Sequence, residues 1–271
     1  MNNYNFMSKE EILEAVKQDG YFIQYINNSS KEVQLEAVKE NGLSIRYINN
    51  PSEEVQLTAV KQKGYAIKYI NNPSEEIELF AVKKSPHSIY FINNPSEAVQ
   101  LEVIKQDGRL IHVINNPSEL IQFEAVRNNG YSIYFINNPS EAVQLEAVKQ
   151  DGRAIQYIKN PTYKVQLEAI KENANAIEYI DNPSEELQLM AIKAKPKCYR
   201  FINKSVQITE KVKLKAVELD AENIMYMHLP SEAIQLAALK QNFRTARKYI
   251  YTPSGKVLEY IKMKEDEEKI N

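Results

Sequence analysis

The sequence predicts an all-α solenoid of about eleven 22-residue repeats, each made of one 11-residue helix and one short α or 3-10 turn. Two recurring patterns carry this prediction. A central Ala recurs every 22 residues from Ala15 to Ala191, with Val103 in one repeat. A helical repeat of this length cannot bury its own apolar face, so neighbours must stack and share a core. The string Asn-Pro-Ser-Glu recurs at Asn50, Asn72, Asn94, Asn116, Asn138 and Asn182.

We expect one repeat domain over residues 1–271. The repeats stay in phase over about 8–204, and a three-residue phase slip follows near 204–209. Further repeats cover about 207–252, where the Ala column resumes. Residues 253–271 are predicted to form a C-terminal cap and an acidic tail, since the last seven residues hold four acids and one Lys.

Residues 50–71 show how one repeat specifies its helix. Ser52 precedes two Glu residues, which is the pattern of an N-cap followed by acids that favour the helix dipole. Gly64 closes the helix as a C′ glycine. The predicted helix therefore runs from Glu53 to about Lys63.

The rest of each repeat is a six-residue apolar segment, Tyr-Ala-Ile-Lys-Tyr-Ile after Gly64. It is too short for a free helix, so we expect a short α or 3-10 turn with Ile67 and Ile70 on one face. A strand is the alternative and would make a parallel β-solenoid, but the capped helix in every repeat argues against it.

Three helical columns, represented by Leu57, Ala59 and Val60, are predicted to be buried. Gln56 recurs within the same apolar arc, and a buried amide needs partners. We expect it to bond the Asn-Pro turn or the backbone of a neighbouring repeat. The column of Lys61 lies on the exposed arc, often with a Glu three residues earlier, which predicts a solvated, self-neutralised face.

Composition narrows the possible functions. A single Cys, Cys198, excludes a disulfide framework and Cys-based metal clusters, and the packed environment of its column predicts an unreactive thiol. The chain has no GxSxG, P-loop, HExxH or paired-Cys motif, so we expect a non-enzyme with no cofactor and no metal site. Apolar runs fall short of a membrane span, and the N-terminus lacks a signal-peptide pattern, so the expected location is cytoplasmic and the membrane is not an expected partner.

The order Asn-Pro-Ser-x-x-Val-x-Leu-x-Ala-Val resembles the leucine-rich variant repeat. That resemblance implies an α-helix paired with a short 3-10 helix in a right-handed superhelix. The repeat also resembles an uncharacterised family with tandem Ala-Val-Lys-x-x-Gly units, found in phage, giant-virus and bacterial proteins. Both likenesses extend over about nine-tenths of the chain, residues 8–252. They imply an architecture, and they supply no catalytic residues.

Columns that vary among repeats are free to carry recognition, whereas constant columns hold the fold. Two columns on the short second segment vary most, and Tyr, His and Arg there are residue types enriched in binding hot spots. The alternative is that the Tyr rings only cover the edge of the core. The resulting candidate partner-binding residues are His87, Tyr90, Arg109, His112, Tyr131, Tyr134 and Arg153.

Charge gives a second candidate site. Residues 1–192 hold 18 Lys and Arg against 26 Asp and Glu, whereas residues 193–264 hold 15 against 6. A basic docking corner at the phase slip is one reading, and a solvated irregular turn is the other. The cluster comprises Lys195, Lys197, Arg200, Lys204, Arg244, Arg247 and Lys248.

We therefore expect a non-enzymatic binding scaffold that recognises a protein partner along a concave or edge surface. The phage-like resemblance suggests an inhibitor of a bacterial defence protein. The alternatives are a nucleotide or nucleic-acid binding module that uses the Tyr/His/Arg edge and the basic C-terminal repeats, and an internal structural element of a larger assembly. The sequence fixes no oligomeric state.

Overall fold

The structure, a computed structural model, describes residues 7–202 and 208–270, so Lys204 and most of the phase slip lie outside the described residues. The chain divides into two compact bodies, an N-terminal body Met1–Asn138 and a C-terminal body Pro139–Asn271. The expectation of one continuous domain stays a prediction.

The N-terminal body alternates ten-residue α-helices with six-residue 3-10 helices. Its α-helices are α1 (Lys9–Gln18), α2 (Lys31–Glu40), α3 (Glu53–Gln62), α4 (Glu75–Lys84), α5 (Glu97–Gln106) and α6 (Glu119–Asn128). Its 3-10 helices are Gly20–Tyr25, Gly42–Tyr47, Gly64–Tyr69, Pro86–Phe91, Gly108–Val113 and Gly130–Phe135. Each helix packs on the helix of the next repeat, and each 3-10 helix packs on the next 3-10 helix.

The C-terminal body continues the alternation and ends in a longer helix. Its α-helices are α7 (Glu141–Gln150), α8 (Tyr163–Glu172), α9 (Glu185–Ala194), α10 (Tyr199–Ile202), α11 (Glu210–Leu219), α12 (Glu232–Gln241), α13 (Phe243–Arg247) and α14 (Gly255–Ile270). Its 3-10 helices are Gly152–Tyr157, Ala174–Tyr179, Pro196–Cys198 and Ala221–Tyr226. The fold is an all-α solenoid, as predicted, and the described residues contain no strand. Among them, no helix is long and apolar enough to cross a membrane.

The predicted N-cap position is confirmed at Ser52, but the Ser52 hydroxyl makes no cap hydrogen bond. In most other repeats the cap residue makes that bond, and in several it also joins repeats. The Ser118 hydroxyl oxygen accepts the Ile121 amide at 3.4 Å and donates to the Glu97 carboxylate of the preceding repeat at 2.5 Å. Thr162 donates in the same way to Glu141 at 2.9 Å. The first-turn acids therefore satisfy hydroxyls of the following repeat as well as favouring their own helix dipole.

The predicted role of Gly64 as a helix-closing C′ residue is wrong. No described glycine has a positive φ, and Gly64 begins the 3-10 helix instead. The glycine allows a close approach, because a Cβ there would lie 2.6 Å from the Ala81 carbonyl oxygen of the next repeat. Left-handed backbone falls on the second Asn of the Asn-Asn-Pro turn, as at Asn72 with φ 50°. Asn tolerates that region better than most non-glycine residues.

The core columns are partly as predicted. Ala59 and Val60 are fully buried, but Leu57 is only half-buried, as is every Leu of its column. The innermost positions are instead Val55 on the helix and Ile67 on the 3-10 segment, both with at most 1% exposure.

The Gln prediction is confirmed. The Gln56 side-chain amide donates to the Pro51 carbonyl at 2.8 Å, within the Asn-Pro turn of its own repeat. The exposed Lys column pairs with Glu as expected in several repeats, for example Lys39 with Glu36 at 2.6 Å. Such exposed pairs contribute little to stability, so this column is a solvated surface.

Candidate functional site

The candidate edge is formed by three successive 3-10 helices, two of which, Gly108–Val113 and Gly130–Phe135, begin at a side-chain cap. The Asp107 carboxylate accepts the Arg109 amide at 3.0 Å and starts the segment Gly108–Val113. Three residues per turn place Arg109 and His112 on the same side of that segment, away from buried Ile111. The two variable columns predicted from the sequence therefore lie side by side.

His112 connects two successive repeats. Its Nδ1 lies 2.7 Å from the Arg109 carbonyl oxygen, so that nitrogen carries the proton and donates. Its Nε2 is then left to accept the Tyr90 hydroxyl at 3.1 Å. His87 stacks on the same Tyr90 ring, with ring centroids 6.2 Å apart. The structure thus brings four of the predicted residues together.

The ring contacts continue into the next repeat through Phe135. Its ring centroid lies 5.3 Å from that of His112 and 5.0 Å from that of Tyr134. Tyr90 is 53% exposed and Tyr134 is 64% exposed, so much of each ring faces solvent. We name His87, Tyr90, His112, Tyr134 and Phe135 the aromatic strip.

Arg109 lies beside the aromatic strip, and its guanidinium forms a salt bridge with a carboxylate. Its guanidinium donates two hydrogen bonds to Asp107, each 3.0 Å long. Those hydrogen bonds hold the pKa of Asp107 below its ordinary value. Tyr131 lies at the start of the next 3-10 segment and is half-buried. Arg109 is therefore an exposed guanidinium at the border of the aromatic strip, paired with Asp107.

Arg153 belongs to the C-terminal body. It repeats the arrangement of Arg109, with guanidinium contacts of 3.3 and 3.1 Å to Asp151. Its predicted proximity to the other candidate residues stays a prediction.

Three of the six described members of the basic cluster are paired with carboxylates. Lys197 lies 3.7 Å from Glu222, Arg244 lies 3.1 Å from Glu268, and Arg247 lies 3.4 Å from Glu265. The last two acids belong to α14, so the acidic tail neutralises the basic repeat before it. Arg200 stacks over the Phe201 ring at 4.6 Å, and both Lys195 and Lys248 are exposed.

Sequence reasoning missed a further aromatic column at the last position of the 3-10 segments. Phe91 receives the Tyr65 ring edge-on at 5.9 Å and the Lys68 ammonium at 5.6 Å. The 22-residue period of this column could have identified it. Its aromatic members with one-third or more exposure are Tyr25, Tyr69, Phe91, Phe135, Tyr157 and Tyr179.

Cys198 is fully buried, as the sequence predicted. Burial raises the pKa of its thiol to about 12, which disfavours the nucleophilic thiolate.

The first two repeats resemble a known protein family. Residues 8–51, the first two repeats, match a domain of unknown function (DUF4116). No curated protein and no solved structure matches the chain.

Proposed function

We propose that the chain is a non-enzymatic binding scaffold that recognises a protein partner through the aromatic strip. The continuous contact of Tyr90, His112, Phe135 and Tyr134 carries the proposal. Exposed aromatic side chains held rigid by their neighbours suit hot spots, because they bury a large area and lose little rotamer entropy on binding.

The likeness to phage and bacterial tandem repeats supports a narrower form, an inhibitor of a bacterial defence protein that acts by covering its working surface. Nucleic-acid binding is less favoured, because Arg109, Lys197, Arg244 and Arg247 each have a carboxylate partner in the described structure. A phosphate chain would have to displace those carboxylates.

The test is affinity capture from a bacterial lysate with three forms of the full chain. We expect wild type to capture a defined protein, and Tyr90→Ala/Tyr134→Ala to lose it at least about tenfold, as for loss of hot-spot residues. Lys105→Ala, on the exposed face of α5, is the matched control and should bind like wild type. Capture of nucleic acid that weakens steeply with salt, or equal capture by all three forms, would contradict the proposal.

A further inference from the structure

A row of hollows lies beside the aromatic strip in the N-terminal body. One hollow, of about 600 Å³, lies between the turns at Asn93 and Asn115 and has Ile92 and Ile114 among its lining residues. The next, of about 470 Å³, shares Ile114 and Asn115 and extends to Asn137. His112 and Phe135 also line this second hollow, so the row is continuous with the aromatic strip.

Each turn supplies two Asn residues, and the backbone explains only the second. Asn94 and Asn116 have φ of 50°, which favours Asn. The first Asn of each turn lacks such a φ, and the C-terminal body places Lys159 and Asp181 at the equivalent positions. The fold therefore does not require an amide there, yet the N-terminal body has one in every repeat. This first-Asn column comprises Asn27, Asn49, Asn71, Asn93, Asn115 and Asn137.

The side chains of the first-Asn column are exposed to solvent, and their amides are available for hydrogen bonds. Within residues 7–138, no side-chain hydrogen bond is made by Asn93, Asn115 or Asn137. A primary amide carries two N–H donors and a carbonyl acceptor. A regular row of such groups matches a ligand that presents donors and acceptors at a regular interval along its length.

We propose that the first-Asn column binds the main chain of an extended polypeptide segment, while the aromatic strip contacts its side chains. This rests on the proposed function and specifies its ligand. A peptide main chain offers one N–H and one C=O per residue. Extended chains rise about 3.1–3.4 Å per residue, so about three residues span the 8–10 Å between packed helical layers. One Asn can then engage each successive group of three residues.

The uncharged amides also favour polypeptide over nucleic acid. Recognition of a phosphate chain depends on Lys and Arg, whereas the first-Asn column of this body is neutral from Asn27 to Asn137. Ile92 and Ile114 are only 7% and 6% exposed, so the polar turn residues, the Asn amides among them, form most of the accessible lining.

The experiment selects binders from a displayed library of random linear 12-residue peptides, using the full chain as bait. The best peptide is resynthesised with single backbone esters, each of which removes one main-chain N–H. We expect esters at about every third position to weaken binding by about 2- to 10-fold, the size of one neutral hydrogen bond. Asn93→Ala/Asn115→Ala/Asn137→Ala removes three such partners and should weaken binding by about 8- to 1,000-fold.

Controls separate this inference from the proposed function. The triple Asn variant should keep a melting temperature close to that of wild type, because these side chains are exposed and make no side-chain hydrogen bond. Lys105→Ala should bind the peptide normally. One outcome would show that main-chain recognition is wrong while the aromatic strip is still the binding site. In that outcome the triple Asn variant binds the all-amide peptide like wild type, and every ester peptide binds wild type like the all-amide peptide. Tyr90→Ala/Tyr134→Ala, in contrast, weakens binding. Failure to select any peptide, or competition by a single-stranded 12-nucleotide RNA, would also overturn it.

Discussion

Glu78 is a natural substitution in the Gln column, and it gives the sharpest test of how each repeat is held together. In eight repeats a Gln at this position donates its side-chain amide to the carbonyl five residues earlier at 2.8–3.0 Å. A carboxylate has no hydrogen to donate. Burial, and then the nearby charge of Glu75, raise the pKa of Glu78 above its ordinary value. The members that form this bond are Gln34, Gln56, Gln100, Gln122, Gln144, Gln166, Gln188 and Gln235.

Glu78→Gln should therefore raise the free energy of unfolding. The gain is one neutral hydrogen bond to the turn, about 0.5–1.5 kcal/mol, together with relief of a half-buried charge. Gln56→Glu is the reciprocal change, and it should cost about 1–3 kcal/mol because it leaves the Pro51 carbonyl without its donor.

The assay is urea denaturation followed by far-ultraviolet circular dichroism. Because the folded-state pKa of Glu78 is raised, its carboxylate destabilises the protein at neutral pH, and this penalty fades as the pH falls through the folded pKa. The advantage of Glu78→Gln should accordingly narrow between pH 7 and about pH 4. A lower midpoint for Glu78→Gln, or an unchanged midpoint for Gln56→Glu, would refute the reasoning.

Two further substitutions and one labelling experiment test other parts of the fold. Leu229 has φ 46° where other repeats place Asn, so Leu229→Asn should raise the free energy of unfolding by about 1 kcal/mol in urea denaturation, and a decrease would contradict the strain. Gly152→Ala should lower it by about 1–3 kcal/mol, because an added Cβ would lie 2.3 Å from the Ala169 carbonyl oxygen. Gly255→Ala, with no atom within 4 Å of the added Cβ, is its control and should cause no loss. Cys198 should react with a maleimide far more slowly in native than in urea-unfolded protein, and equal rates would be inconsistent with its burial.

The periodic part of the fold was predictable because its causes are local. Ser52 starts a helix, and Gln56 bonds the turn five residues before it, so both follow from residues within one repeat. The role of Gly64 was not predictable, because it depends on the carbonyl of Ala81 in the next repeat. The half-burial of Leu57 was also not predictable, because the 3.6-residue pattern of one helix does not show how much of each side chain the neighbouring elements cover.

Most residues of the candidate site could be predicted from the sequence, but the contacts that link them could not. The variable columns identified Tyr90 and His112. The two columns are three residues apart, which is one turn of a 3-10 helix, so their side chains lie on one edge. Phe135, which links His112 to Tyr134, was missed because its column is nearly constant, whereas the sequence argument selected columns that vary among repeats. A constant column that stays exposed is therefore as informative as a variable one.

The most direct test of the central claim, that recognition uses the 3-10 edge and the helices serve as framework, is amide hydrogen exchange of the full chain, free and bound to the protein it captures. We expect new protection in the segments Pro86–Phe91, Gly108–Val113 and Gly130–Phe135 and in the Asn turns after them, with little change in α4 and α5. Protection confined to the exposed faces of α4 and α5, with the 3-10 segments unchanged, would contradict it.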